Sequence, residues 1–257
     1  MIMLLTIDVG NSNLVAVGYD QFKNRIFDSR IITQKQNVSH YYGEWFEELL
    51  GKQLINKDLQ GIIISSVVPD ITEDICRILF TATQIQPIVV NVDLVNDFVI
   101  HLYDPRQIGS DFIATAYGAI ASYRLPALVA DLGSATKISV INKHGEFEGG
   151  IIQPGIGISL EGLVNFVKHL PTIELKLPNQ VIGKDTIEAM QSGLLWGAIA
   201  SIEGLANQIE AQVNQPMTRI ITGGYAKIIA PAVKDFIYDE FLLNDGLFDI
   251  YQRRINS

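Results

Sequence analysis

Apolar runs of strand length recur along the chain, and several end in small polar residues. The first spans residues 4–7 and closes in Asp8-Val9-Gly10-Asn11-Ser12-Asn13, after which an alternating run continues through Leu14 and Val15 to residue 18. Period-2 alternation on either side of a glycine-containing turn predicts two strands joined by a tight hairpin. The pattern returns at residues 127–130, which close in Asp131-Leu132-Gly133-Ser134-Ala135-Thr136 before a second apolar alternation over 137–141. Asp131 follows Asp8 by nearly half of the 257-residue chain. One turn repeated once per half suggests a duplicated domain, with the two carboxylates facing each other across a cleft.

The remaining pattern fills in both halves. Residues 25–33 continue the opening sheet. Trp45, Phe46, Leu49 and Leu50 keep helical spacing within 42–50, and residues 61–68 form a β-branched run without alternation, as in a strand buried on both faces. A helix over 71–81 and a strand over 87–92 follow, so the first half reads β-β-β-α-β-α-β. Pro105 and Gly109 mark 102–111 as a loop before an alanine-rich helix at 112–123. In the second half, a glycine-rich stretch at 148–157 leads to a helix at 159–168, and an extended connector covers 170–178. A long helix is predicted over 186–209, with Gly193, Gly197 and Gly204 near one face, where they permit close helix packing. A strand at 220–222 ends in Gly223 and Gly224. Helices are predicted over 227–238 and 247–254.

These elements carry candidate chemistry. A glycine turn at a strand end lets an anion approach backbone N–H groups, and Asn11, Ser12 and Asn13 add donors. Asp8 repels phosphate unless Mg²⁺ or its water shell lies between them, so the stretch suggests a metal-nucleotide site. An ordinary hairpin turn fits these residue types about equally well. Ser65 and Ser66 end a buried strand, where open α/β sheets bind ligands, but a simple strand-to-helix connection is the preferred reading. Asp111, at a helix start, is either an N-cap or a carboxylate for proton chemistry, and the residues alone favour the cap. Gly155-x-Gly157 lacks a third glycine in phase and is a weak dinucleotide signal. Gly223-Gly224 suits a flat ring against bare backbone, as an adenine lies, or a plain turn.

Composition narrows the class. The net charge of −9 argues against non-specific nucleic-acid binding, though not against a small anion held by N–H groups and metal. The single cysteine, Cys76, falls in an apolar helical pattern and reads as a core residue. The four histidines are scattered without metal spacing. The opening apolar run is too short for a signal segment, and no run approaches the ~20 residues that span a bilayer. The expectation is a soluble, cytoplasmic protein without membrane partners.

Taken together, the Asp-x-Gly hairpin of each half and the late Gly-Gly resemble the superfamily of acetate and sugar kinases and actin. Within it the chain resembles the type III pantothenate kinases, also the family of the Bvg accessory factor, from Thr6 to about Tyr251. The family's Asp-x-Gly-Asn-Thr reads here Asp8-Val9-Gly10-Asn11-Ser12. Its Pro-x-x-x-Gly-x-Asp-Arg reads Pro105 to Phe112, and its Asp-x-Gly-Thr-Ala-Thr reads Asp131 to Thr136. Its Gly-Gly-x-Ile-x-Pro-Gly matches Gly149 to Gly155, its Ile-Gly-x-x-Thr matches Ile182 to Thr186, and its Thr-Gly-Gly matches Thr222 to Gly224.

The resemblance implies an α/β fold of two duplicated ribonuclease H-like (actin-like ATPase) domains, expected at 1–113 and 114–257, with a nucleotide cleft between them. It implies ATP-dependent phosphorylation of pantothenate, the first step of coenzyme A biosynthesis, by a homodimer. Asp111 becomes the general base. Asp8 to Val15 and Ser134 contact ATP, and Gly223 and Gly224 lie on the adenine side. Asp8 holds Mg²⁺ through water, and Asp131 holds a monovalent cation, K⁺ or NH₄⁺. Tyr103, Gly109, Ser110, Asp111, Phe112 and Thr186 form the substrate side, with Tyr103 one residue out of the family spacing. Two positions depart from the pattern. Phe112 stands where the family has arginine and cannot supply its charge. Lys137 replaces a usual hydroxyl residue and is a candidate source for that charge. A non-catalytic accessory member, or a kinase of this fold for another small alcohol, are the alternative readings.

Overall fold

The computed structural model describes residues 2–53 and 58–256. Its contacts group residues 1–98, 102–121 and 242–257 into one unit and 99–101 and 122–241 into a second.

The first unit opens with strands β1 (Ile2–Val9), β2 (Asn13–Asp20) and β3 (Arg25–Ile32), paired antiparallel in sequence. Helix α1 (Val38–Gln53) leads to β4 (Asp58–Ser66), helix α2 (Pro69–Thr83) to β5 (Ile88–Val89), and helix α3 (Ser110–Ser122) follows. β4 lies parallel to β1 and β5 parallel to β4, so the sheet order is β3-β2-β1-β4-β5. Alternation along β1 and β2 sends Leu5, Ile7, Val9, Leu14 and Ala16 into one core with Tyr42, Phe46, Ile71, Ile75 and Leu79 from the two helices. Burial of such side chains contributes about 1.5–3 kcal/mol each and is the main force holding the layers together. Cys76 packs against the edge of this core, and burial pushes its thiol pKa up.

The second unit repeats the plan. Strands β6 (Ala127–Leu132), β7 (Ala135–Ile141) and β8 (Phe147–Pro154) pair antiparallel in sequence. After helices α4 (Ile156–Phe166) and α5 (Thr186–Val213), β9 (Thr218–Thr222) returns parallel to β6. Helix α6 (Ala226–Ile229) then leads to β10 (Ile237–Tyr238), parallel to β9. The order β10-β9-β6-β7-β8 is the first sheet's order strand for strand. The duplication read from the two turns is therefore present in the strand topology. α5 faces this core with Met190, Leu194, Leu195, Ile199, Ile202 and Ala206, three- and four-residue steps that keep one face inward.

Several elements differ from the pattern reading. Residues 227–238 are not one helix. Pro231, which has no N–H to donate, follows the end of α6, and the chain turns outward so that Ile237 and Tyr238 can pair with Ile220 and Ile221. Gly193, Gly197 and Gly204 on α5 have no atom within 4 Å of an added Cβ, so no neighbour among the described residues uses their small size.

Helix α7 (Leu242–Asn256), which sequence order assigned to the second half, packs on the first sheet. Asn244 donates to Thr6 Oγ1 at 3.0 Å, and Tyr19 OH donates to Asp245. Glycines let α7 lie close to α3: a Cβ on Gly246 would come within 1.8 Å of the Ala114 carbonyl oxygen, and one on Gly118 within 2.2 Å of that of Leu242.

Candidate active site

In the first unit, three sequence motifs meet at one end of the sheet. β1 ends in Asp8 and Val9, and the turn closes with Gly10 N–H donating to Asn13 O at 3.0 Å. The Thr33 hydroxyl donates to Gly10 O at 2.6 Å and Thr33 N–H donates to Ser12 O at 3.0 Å, bracing the turn from the end of β3. Asn11 and Ser12 are exposed at its tip, while Asp8 is half-buried.

Asp8 stands beside Ser65 in the parallel register of β1 and β4. Ser65 and Ser66 hold the start of α3. Ser110 Oγ donates to Ser66 O at 2.9 Å and accepts Ser66 N–H at 3.0 Å. Since that hydroxyl has one proton, the 3.0 Å contact between Ser65 Oγ and Ser110 Oγ is donated by Ser65. The preferred sequence reading of both serines as a bare connection missed this clamp. The available signal was the pair of hydroxyls at the end of a buried parallel strand.

The clamp fixes the next residue, Asp111, which is 8 % exposed. Asp111 lies inside the first turn of α3; Gly109 O accepts from Ile113 N–H at 3.2 Å and occupies the cap position. Asp111 Oδ1 accepts Phe112 N–H at 2.8 Å. The N-cap reading is therefore corrected in position, although the carboxylate does take one first-turn N–H. Phe112 is half-buried, and no guanidinium stands at its position. The nearby Arg106 is exposed and bonded to Asp104 at 2.9 and 3.1 Å. That contact lowers the Asp104 pKa and raises that of Arg106. Tyr103 is fully exposed on the same loop.

The second unit assembles its own group around Asp131. The turn after β6 closes with Gly133 N–H donating to Ala135 O, and Gly155 N–H at the start of α4 donates to Ser134 O, both at 3.1 Å. A Cβ on Gly155 would approach Ser134 O to 2.3 Å and Gly133 O to 2.4 Å, so only glycine lets α4 sit on this turn. Gly223, at φ +95°, would place a Cβ 2.4 Å from Asp131 Oδ1. Its bareness is thus required by β6 as well as being suited to a flat ligand. Asp131 faces Lys137 across β6 and β7, with Oδ2 2.9 Å from Nζ. This carboxylate has an ammonium as its partner, so the residues do not fit the free monovalent ion that the resemblance implies there.

Thr186 is the exposed first residue of α5. Asp185 caps this helix by accepting Glu188 N–H at 2.8 Å, and Glu188 accepts Lys184 N–H. A groove of 440 Å³ beside it is lined by residues that include Lys176, Gln180, Lys184 and Glu188, but not Thr186. One cluster escaped sequence spacing. His101, Glu146 and Glu148 converge, with ligand atoms within 4.8 Å of one another. Ile100 bridges to Phe147 beside β8, bringing residues distant in sequence together. The Glu146 hydrogen bond raises the His101 pKa, and the same contact lowers that of Glu146.

Among the described residues, no helix is long and apolar enough to cross a membrane. Solved structures similar to the chain include a Baf family transcriptional activator from Campylobacter jejuni, with TM-score 0.59, 21% identity, and coverage of 98% of this chain and 100% of that one. Component A of (R)-2-hydroxyglutaryl-CoA dehydratase from Acidaminococcus fermentans aligns over the whole of both chains at TM-score 0.61 and 14% identity. A ROK family glucokinase from Streptomyces griseus, in complex with glucose and AMPPNP, aligns at TM-score 0.55 and 10% identity, covering 99% and 100%. At such identities the likeness shows the actin-like α/β fold alone. Sequence relatives are nearer. Type III pantothenate kinases of Citrifermentans bemidjiense and Exiguobacterium sp. are 36% and 37% identical over 98% of this chain and 99% of theirs. The type III pantothenate kinase family model matches residues 4–208. With family order and fold agreeing over nearly its whole length, the chain belongs to the type III pantothenate kinase family.

Proposed function

We propose that the protein transfers the γ-phosphoryl group of ATP to the primary hydroxyl of pantothenate, with Asp111 as general base. The observation that carries this reading is the serine clamp. Through Ser65, Ser66 and Ser110 it ties the helix bearing Asp111 to the strand end beside Asp8 and its turn. Phosphoryl transfer depends chiefly on positioning and charge stabilisation, and a rigid link between base and phosphate turn supplies the first.

In this reading, residues 8–15 and the Ser134 hydroxyl contact ATP. Asp8 would hold Mg²⁺ through water, and the ion would neutralise phosphate charge. Asp111 accepts the proton of the attacking hydroxyl, an effect worth roughly 10²–10⁴-fold in such reactions. Gly109, Ser110 and Phe112 border the acceptor, with Thr186 and Tyr103 as further contacts. Gly223 and Gly224 lie on the adenine side. The acidic chain fits a soluble cytoplasmic enzyme that binds no nucleic acid. A homodimer is part of the proposal.

Asp111→Asn tests the assignment. It should reduce turnover by at least about 10²-fold while leaving ATP binding and the far-UV spectrum unchanged. Near-normal kcat would make Asp111 a helix-start residue only. Phe112 favours a second reading, a less anionic alcohol as acceptor. A panel of small alcohols separates the two: pantothenate preferred supports the first, another alcohol preferred supports the second.

A further inference from the structure

We propose that the Lys137 ammonium is a built-in monovalent cation, so that this enzyme turns over without free K⁺ or NH₄⁺. The proposal rests on the kinase reading above. Asp131 and Lys137 are directly opposed on β6 and β7, and their charged atoms lie 2.9 Å apart, the length of a charge-assisted hydrogen bond. The two side chains are only 15% and 16% exposed, so salt screens the pair less than it would a surface pair. The other carboxylate oxygen, Oδ1, lies over the bare Cα of Gly223.

A free ion at Asp131 would therefore have to displace an ammonium of equal charge that its own strand holds in place. Adding the ion without displacing the ammonium would set two like charges against one carboxylate. The tether removes the need for a solution ion because the backbone register keeps the ammonium at the carboxylate at any salt concentration. Lys137 is three residues from Ser134, on the strand leaving the turn proposed to contact phosphate. A fixed positive charge there serves the same electrostatic purpose as a bound ion beside developing phosphate charge.

Pantothenate-dependent ADP release would be followed with Mg²⁺ and ATP in tetramethylammonium, Na⁺, K⁺ and NH₄⁺ buffers. The wild-type rate should agree within about twofold in all four, while Lys137→Thr should fall by ~10-fold or more in tetramethylammonium and recover on addition of K⁺. Lys137→Gln serves as the second variant should the threonine protein not fold. Thallous ion, a K⁺ surrogate followed by thallium NMR, gives a readout independent of turnover: no K⁺-competed broadening with wild type, and broadening with the variant. A wild-type rate that requires K⁺, K⁺-competed thallous binding by wild type, or variants indifferent to K⁺ would overturn the proposal. Absence of turnover by folded wild type in every buffer would count against the kinase reading instead, and the thallium measurement would still decide the cation.

Discussion

Ser110→Ala removes the clamp between α3 and the end of β4 without touching the carboxylate of Asp111. Three hydrogen bonds go together: those accepted from Ser65 Oγ and Ser66 N–H, and the one donated to Ser66 O. Ser65 is completely buried and Ser110 is 8 % exposed, so water replaces little of what is lost. Each bond is worth about 0.5–1.5 kcal/mol net, and a buried donor left unpaired costs about 1–3 kcal/mol. For the three bonds together the expected loss is about 2–4 kcal/mol. At roughly 2–4 °C per kcal/mol for a domain of this size, the melting temperature should fall by about 5–15 °C.

Activity should fall as well, because the base loses its register with the phosphate turn. A displacement of about 1 Å costs on the order of 10²-fold in such sites, so kcat should drop ~10- to 100-fold at temperatures where the variant is folded. Scanning calorimetry and steady-state kinetics measure both. Ser66→Ala is the comparison, since Ser66 Oγ bonds Thr72 and Val68 at the start of α2 rather than Ser110. It should lower the melting temperature while largely sparing kcat. A melting temperature within about 1 °C of wild type together with unchanged kcat for Ser110→Ala would refute the positioning argument.

Glycines of two kinds should respond with opposite signs. Gly155→Ala forces a Cβ against the Ser134 and Gly133 carbonyl oxygens and should destabilise by about 1–3 kcal/mol or more, with a raised KM for ATP. Gly193→Ala, within α5 with no atom near the added methyl, should stabilise by ~0.5–1 kcal/mol in thermal denaturation. A loss there would reveal another chain covering that face. The His101 ring should titrate above its ordinary 6.5 by NMR, and Glu146→Gln should bring it back. A raised histidine pKa adds stability that is complete below 6.5 and is lost as pH rises through the folded value. The lowered Glu146 pKa adds stability above 4.5 that is lost as pH falls through its folded value. The pair therefore contributes most between those two values, and an unshifted His101 would contradict the contact.

Periodicity revealed the strands and helices whose alternation or helical face is long enough to read, above all β1, β2, β6, β7 and α5. The two Asp-x-Gly turns revealed the duplication because each joins strands of that kind. β10 was illegible because its two exposed residues carry no burial pattern and exist as a strand only through pairing with β9. The place of α7 was hidden because its partners, Thr6 and Tyr19, lie at the other end of the chain. Motif order pointed to Asp8, Asp111 and Asp131 as candidate site residues. Tertiary contact alone disclosed that Ser110 locks Asp111 in place and that Glu146 meets His101. The pairing of Asp131 with Lys137 follows from the register of one hairpin, which spacing does not fix until the turn is known.

The most direct test of the central claim is to incubate the wild-type protein with ATP, Mg²⁺ and pantothenate and identify the product by mass spectrometry and phosphorus NMR. The account predicts 4′-phosphopantothenate, formed in step with ADP and at least about 10²-fold more slowly when Asp111→Asn replaces wild type. Folded protein that binds ATP yet leaves pantothenate unphosphorylated would contradict it.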